Sequence, residues 1–188
     1  MKDVLDTGVI GDVVSVMSIE NVGYWHQAHS FVRGNWRNSE TTSPMILQKC
    51  CHDMDLLLWL TGKTCESVSS FGDTYLFKEE CAPEGAALRC MDGCKAKENC
   101  PYDAEKIYLD HHKIGAKTGY KEWPLDVLTL HPSVETIAEA IKTGPYGRCV
   151  YHCDNNVVDH QVVNMKMTDG TTISHTMCGF TATGSRYA

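Results

Sequence analysis

Three side chains capable of acid-base chemistry recur at intervals of three in an otherwise apolar run: Lys49, His52 and Asp55, within Ser43-PMILQKCCHDMDLLLWLTGK. On a helix of 3.6 residues per turn, positions three apart stack on one side, so these polar heads project together. A surface helix needs a wet face, and the spacing could be no more than that. Against this, most other residues from Met45 to Leu60 are apolar around the circumference, which predicts a largely buried helix. A narrow polar stripe on a buried helix lines a cavity or meets buried partners.

A second group sits in Tyr24-WHQAHSFVRGNW, dense in aromatic, His and Arg side chains and without a clean period. Aromatic faces suit sugar rings, while His and Arg bond hydroxyls or a carboxylate. His29, Arg33 and Trp36 are therefore candidates to line a substrate site. The same residue types also favour an oligomer or interdomain contact.

A third group is Cys90-MDG-Cys94-KAKEN-Cys100-PY, three thiols in a polar, Gly-containing segment with few core residues. Such a cluster suggests tetrahedral zinc, because metal bonds order a stretch that hydrophobic burial cannot. A fourth ligand has to come from elsewhere. Cys81 is nearest in sequence, and Cys149-VYH-Cys153 with His152 offers a second group. An iron-sulfur cluster would use the same thiols, although the spacing follows no ferredoxin pattern, and a disulfide such as Cys90 to Cys100 is a third option. Each reading is structural.

The elements that must position these residues are legible in outline. Residues 2 to 10 read as the end of a short helix closed by glycine, followed by a strand from Asp12 to Val22. After the helix from Ser43 to Leu60, closed by Thr61-Gly62-Lys63, the stretch Cys65 to Phe77 reads as a strand. Residues 78 to 122 lack strand or strong helix patterning and are too long for a plain loop, so they form an insertion, ordered or disordered. Ser133-VETIAEAIKTG is an amphipathic helix with a Ser N-cap. Strands Val157 to Thr168 and Thr171 to Thr181 follow, joined by Asp169-Gly170, a strong hairpin signal. The predicted class is α+β, a single domain over residues 1–188 with an open, mainly antiparallel sheet, helices on one face and a Cys-rich insertion.

Composition narrows the function. The 188 residues carry a formal net charge of -7 with pI near 5.7 and no Lys/Arg block, which argues against a nucleic-acid surface. No apolar run approaches the roughly 18 to 20 residues of a membrane span, and the N-terminus has no signal-peptide core. A soluble cytoplasmic protein is expected. Ten cysteines in a chain with ample apolar content read as reduced thiols, with a tight cluster as a metal candidate.

Along nearly its whole length the chain resembles the C-terminal domain of the Gfo/Idh/MocA oxidoreductases. The resemblance runs through IGDVVSV, GYWHQAHSFVRGNW, HDMDLLLWLTGK and DHQVVNMKMTDGTTISHTM, with HDMDLLLWL matching the family's H-x-x-D helix signature. It implies that His52 is the active-site histidine and Asp55 the acid one turn on. Many members carry an Asp four residues before that histidine; Gln48 stands there, which makes Lys49 the substitute donor. Loss of a hydride and proton from a secondary alcohol needs a base near neutral pH, a role that suits histidine.

The resemblance further implies an NAD or NADP cofactor. This chain has no G-x-G-x-x-G, so the cofactor would be held mainly by an N-terminal Rossmann domain absent from this chain, and none of its own residues is expected to bind it. The expected function is substrate binding and oligomerisation in an oxidoreductase acting on a sugar, cyclitol or related polyol, with this chain inactive alone. The sheet would pair copies of the chain into a homo-oligomer. Two alternatives remain: a non-catalytic ligand-binding or assembly module, which Gln48 favours, and a hydrolase using a transient redox step on a retained nicotinamide cofactor, as the resemblance also allows.

Overall fold

The computed structural model describes residues 1–188. Five strands form one open sheet: β1 (Ser15–Gly23), β2 (Cys65–Asp73), β3 (His160–Met167), β4 (Thr172–Thr181) and β5 (Ser185–Tyr187), in the order β2-β3-β4-β1-β5. Three of the pairings are antiparallel, while β1 and β4 run parallel at the centre. The class expected from sequence is therefore the one found, with a mixed centre.

Alternation explains the late strands. Val163, Met165 and Met167 on β3 and Ile173, His175 and Met177 on β4 are buried, and their neighbours face out. Antiparallel pairing places Met165 opposite Ile173 on the covered face. The turn between the strands uses Gly170 at φ +90, a conformation open to glycine at no steric cost. The predicted bounds were slightly long: β2 ends at Asp73 rather than Phe77, and β1 starts at Ser15 rather than Asp12.

The helices are α1 (Lys2–Asp6), α2 (Tyr24–His26), α3 (Met45–Gln48), α4 (Cys51–Thr61), α5 (Leu125–Leu128) and α6 (Val134–Thr143). On α6 the Ser133 hydroxyl accepts the Thr136 N–H, and the Thr136 hydroxyl accepts the Ser133 N–H, a reciprocal cap. The single helix expected from Ser43 to Leu60 is instead broken at Lys49 and Cys50. It is also less buried than its composition predicts. Asp53 and Leu57 are buried on α4, whereas Leu56, Leu58 and Trp59 are exposed.

The insertion requires the largest correction. Residues 78 to 122 are not poor in core side chains: Tyr102, Ala104, Ile107, Tyr108 and Leu109 are buried in the largest apolar cluster, with Ala28, Val32, Ile137 and Ile141. Tyrosines and alanines scattered without a period build this core, so neither helical nor strand periodicity reveals it. The segment is held by short turns and a π-helical stretch, Lys106–Asp110, rather than by long elements.

Candidate active site

β1 runs directly into α2, and the helix then widens into a π-helix over Gln27–Arg33, every residue of which is buried. The wider turn sets residues four or five apart on one face. His26, Ser30 and Phe31 line an open cleft of about 320 Å³, together with Trp36, Gln48, Lys49, His52, Trp123 and Arg186. His29 and Arg33, also four apart, turn the other way into the core.

Three sequence candidates thus meet in one place: Lys49, His52 and Trp36. The break between α3 and α4 leaves Lys49 and His52 on the cleft although they no longer share one continuous helix. Asp55 does not join them. It is exposed on α4, outside the cleft lining, and His52 Nδ1 lies 3.3 Å from Cys51 Sγ instead of pairing with it.

His29 and Arg33 do not occupy the substrate-facing positions that their residue types suggested. His29 is 2 % exposed, bonds the Tyr108 hydroxyl at 3.0 Å and stacks on Tyr146. Burial first, then the charges of His26 and Arg33, lower its pKa to about 3, so it is neutral. Arg33 is wholly buried and donates to the Arg148 carbonyl at 2.7 Å and the Tyr102 carbonyl at 2.6 Å. Both residues tie the π-helix to the insertion core.

Beneath the cleft lies a charged network that sequence reasoning missed. Glu20 on β1 is 2 % exposed, with Lys49 Nζ 3.0 Å from its Oε1. Arg186 Nε stands 2.7 Å from Glu20 Oε2 and donates to Asp53 Oδ1 at 2.9 Å. The single N–H points to Asp53, so the Glu20 contact is electrostatic without a well-directed hydrogen bond. Arg186 arrives on β5, the short edge strand beside β1, where it pairs in register with Glu20. Only the alternation of β1 could have hinted at Glu20, as a charge falling on a buried phase.

The cleft wall is aromatic. His26 packs against Phe31 and, at 4.8 Å, edge-on against Trp123. Burial, then the positive charges of Lys49 and Arg186, lower the His26 pKa to about 4, so a neutral imidazole faces the cleft near neutral pH. The site can therefore offer apolar ring faces, a lysine cation, a second cation shared with buried carboxylates, and two imidazoles. Side chains of these types are chemically able to bond hydroxyls and to exchange a proton.

Within the insertion, Cys90, Cys94 and Cys100 line one small void, and Cys149 joins them. Cys81 and Cys153 are not part of its lining. No helix is long and apolar enough to cross a membrane.

No curated protein matches the chain. Among solved structures, a scyllo-inositol dehydrogenase from Lactobacillus casei with bound NAD(H) and scyllo-inositol is 15% identical, with 100% of this chain and 37% of that one covered at TM-score 0.45. A probable dehydrogenase from Thermotoga maritima is 12% identical over 96% of this chain and 31% of that one, at TM-score 0.45. A myo-inositol dehydrogenase from Corynebacterium glutamicum is 9% identical over 96% and 30%, at TM-score 0.43. The chain spans about a third of the length of these structures. The sequence model described as "Oxidoreductase family, C-terminal alpha/beta domain" matches residues 2–113, more than half of the chain, and the protein belongs to this Gfo/Idh/MocA family.

Proposed function

We propose that this domain supplies the substrate site of an NAD(P)-dependent oxidoreductase acting on a sugar, cyclitol or related polyol. The observation that carries the reading is the convergence of His52, Lys49 and Trp36 on one cleft in a chain of an oxidoreductase family. His52 takes or returns the proton of the reacting hydroxyl, with Nε2 as the nitrogen available once Nδ1 faces Cys51. Lys49, anchored by Glu20, holds a positive charge beside that oxygen. Trp36 and Trp123 give the ring its apolar walls, and His26 and Arg186 hold its other hydroxyls.

The nicotinamide group does not fit this chain by itself. A pyrophosphate needs a glycine-rich turn opening a helix, and the junction after β1 has only Gly23 leading into a three-residue helix. The cofactor therefore belongs to a separate domain, and this chain binds, orients and handles the proton. The open face of the sheet, where Met17 and Phe71 are 74% and 71% exposed, pairs copies into a homo-oligomer. A structural zinc ion at Cys90, Cys94 and Cys100, and a cytoplasmic setting that keeps the thiols reduced, complete the reading. The test is a panel of cyclitols, aldoses and simple alcohols given to the complete protein with NAD or NADP. Reduction of the nicotinamide with the ring polyols supports the assignment, and activity confined to simple alcohols or absent throughout the panel refutes it.

A further inference from the structure

Cys50 caps the N-terminus of α4 and Asp53 follows three residues on, so the two side chains share one side of the helix, and both are buried. Beneath them β1 and β4 run parallel, with Ser18 in register with His175. One ligand atom each from Cys50, Asp53 and His175 lies within 4.8 Å of the other two, close enough for a single ion to touch all three, and no other trio of Cys, His, Asp or Glu in the chain is so placed. Two atoms of this cluster are buried without a hydrogen-bond partner: Nε2 of His175, a residue 1% exposed, and Oδ2 of Asp53, a residue 6% exposed. Their companion atoms are already committed. His175 Nδ1 lies 2.6 Å from Ser18 Oγ, and Asp53 Oδ1 accepts from Arg186 Nε at 2.9 Å. Burying polar atoms unpaired is costly, and each orphan calls for an occupant.

We propose that Cys50 Sγ, Asp53 Oδ2 and His175 Nε2 hold a single divalent cation of the zinc type. The site is separate from the Cys90 group and depends on no assumption about the substrate. With its Nδ1–H donating to Ser18 Oγ, His175 presents the Nε2 lone pair, the outer hydrogen bond that orients a metal-binding imidazole. A thiolate, an imidazole and a carboxylate together suit zinc, whereas magnesium and calcium take oxygen ligands. The Cys50 thiol gives its proton to solvent as the ion binds, because the thiolate is the ligand. Three protein ligands leave a fourth position for water, reached through a cleft of about 190 Å³ that Ser18, Asp53 and Arg186 help to line. The ion is structural: it ties the first turn of α4, which also carries His52, to the centre of the sheet.

Crystals of the complete protein, kept reduced and grown with zinc chloride, should show an anomalous peak at the zinc edge about 2.0 to 2.3 Å from Cys50 Sγ, Asp53 Oδ2 and His175 Nε2. In solution, competition with a chromophoric chelator should give micromolar or tighter zinc binding that weakens at least tenfold in Cys50→Ser and in His175→Gln and is unchanged in Cys65→Ser. An ion at Cys90, Cys94 and Cys100 would give its own peak elsewhere and survive His175→Gln, so the two sites are read separately. A water or no density between the three side chains would overturn the proposal. So would a peak seen only at millimolar zinc, or zinc binding that both variants leave unaltered. Because the anomalous map is read on the wild type, it decides the matter even if a variant fails to fold.

Discussion

Lys49 Nζ lies 3.0 Å from Glu20 Oε1, joining a residue in the break between two helices to a carboxylate buried in the central sheet. The pair sits at the break in the helix: the lysine reaches down to the strand while His52, one turn on, stays at the cleft. It also fixes a cation next to the proposed proton-transfer group.

Removing one partner of a buried pair leaves the other charge uncompensated. Lys49→Met should therefore destabilise the protein by about 3 kcal/mol, the low end for such a loss because Arg186 still faces Glu20. Adding Glu20→Met should restore much of it, since replacing the whole pair with apolar groups is far less costly. Urea melts of the two single variants and the double variant measure the coupling, and strictly additive losses would show that the pair is not a unit.

Acid should unfold the protein earlier than its carboxylates alone require. Burial lowers the His29 pKa from 6.5 to about 3, so the stability tied to its neutral form is fully present above pH 6.5 and is lost as pH falls towards 3. His26, lowered to about 4, adds a similar slope over pH 6.5 to 4. For His29 alone the loss from pH 7 to pH 5 is about 2 kcal/mol. His29→Phe costs stability at neutral pH by unpairing the Tyr108 hydroxyl, but its melting temperature should fall less between those two pH values than the wild type's. An equal fall in both proteins would assign the slope to other groups.

The uncovered face of the sheet should mediate self-association. Phe71 is 71% exposed on β2, opposite Val162 on β3, which also lies on the face away from the helices. Phe71→Glu should shift the protein towards monomer in light scattering at concentrations where the wild type is a dimer or larger. A wild type that stays monomeric at high concentration would remove this interface from the account.

The legible parts of the fold share one property. Strands β3 and β4 and helix α6 each bury one face of a regular element, so period and capping give them away. Three features were not legible, for separate physical reasons. The break at Lys49 coincides with an ion pair to Glu20, which is distant in sequence. The insertion core uses tyrosines and alanines on short turns and a π-helix, whose period matches no standard template. His29 and Arg33 have the residue types of a binding surface but are buried by the π-helix, whose wider turn reverses which side faces the cleft. The candidate site was thus half visible: Lys49 and His52 came from spacing and resemblance and Trp36 from the residue types of its segment, whereas Glu20, His26, Trp123 and Arg186 needed the tertiary structure.

The central claim is that His52 moves a proton, and His52→Ala in the complete enzyme tests it most directly. General acid-base assistance contributes ~100 to 10,000-fold in rate, whereas His52 is exposed and lost packing there is small. The account predicts turnover reduced within that range at an almost unchanged melting temperature. Near-normal turnover, with or without a lower melting temperature, would contradict it.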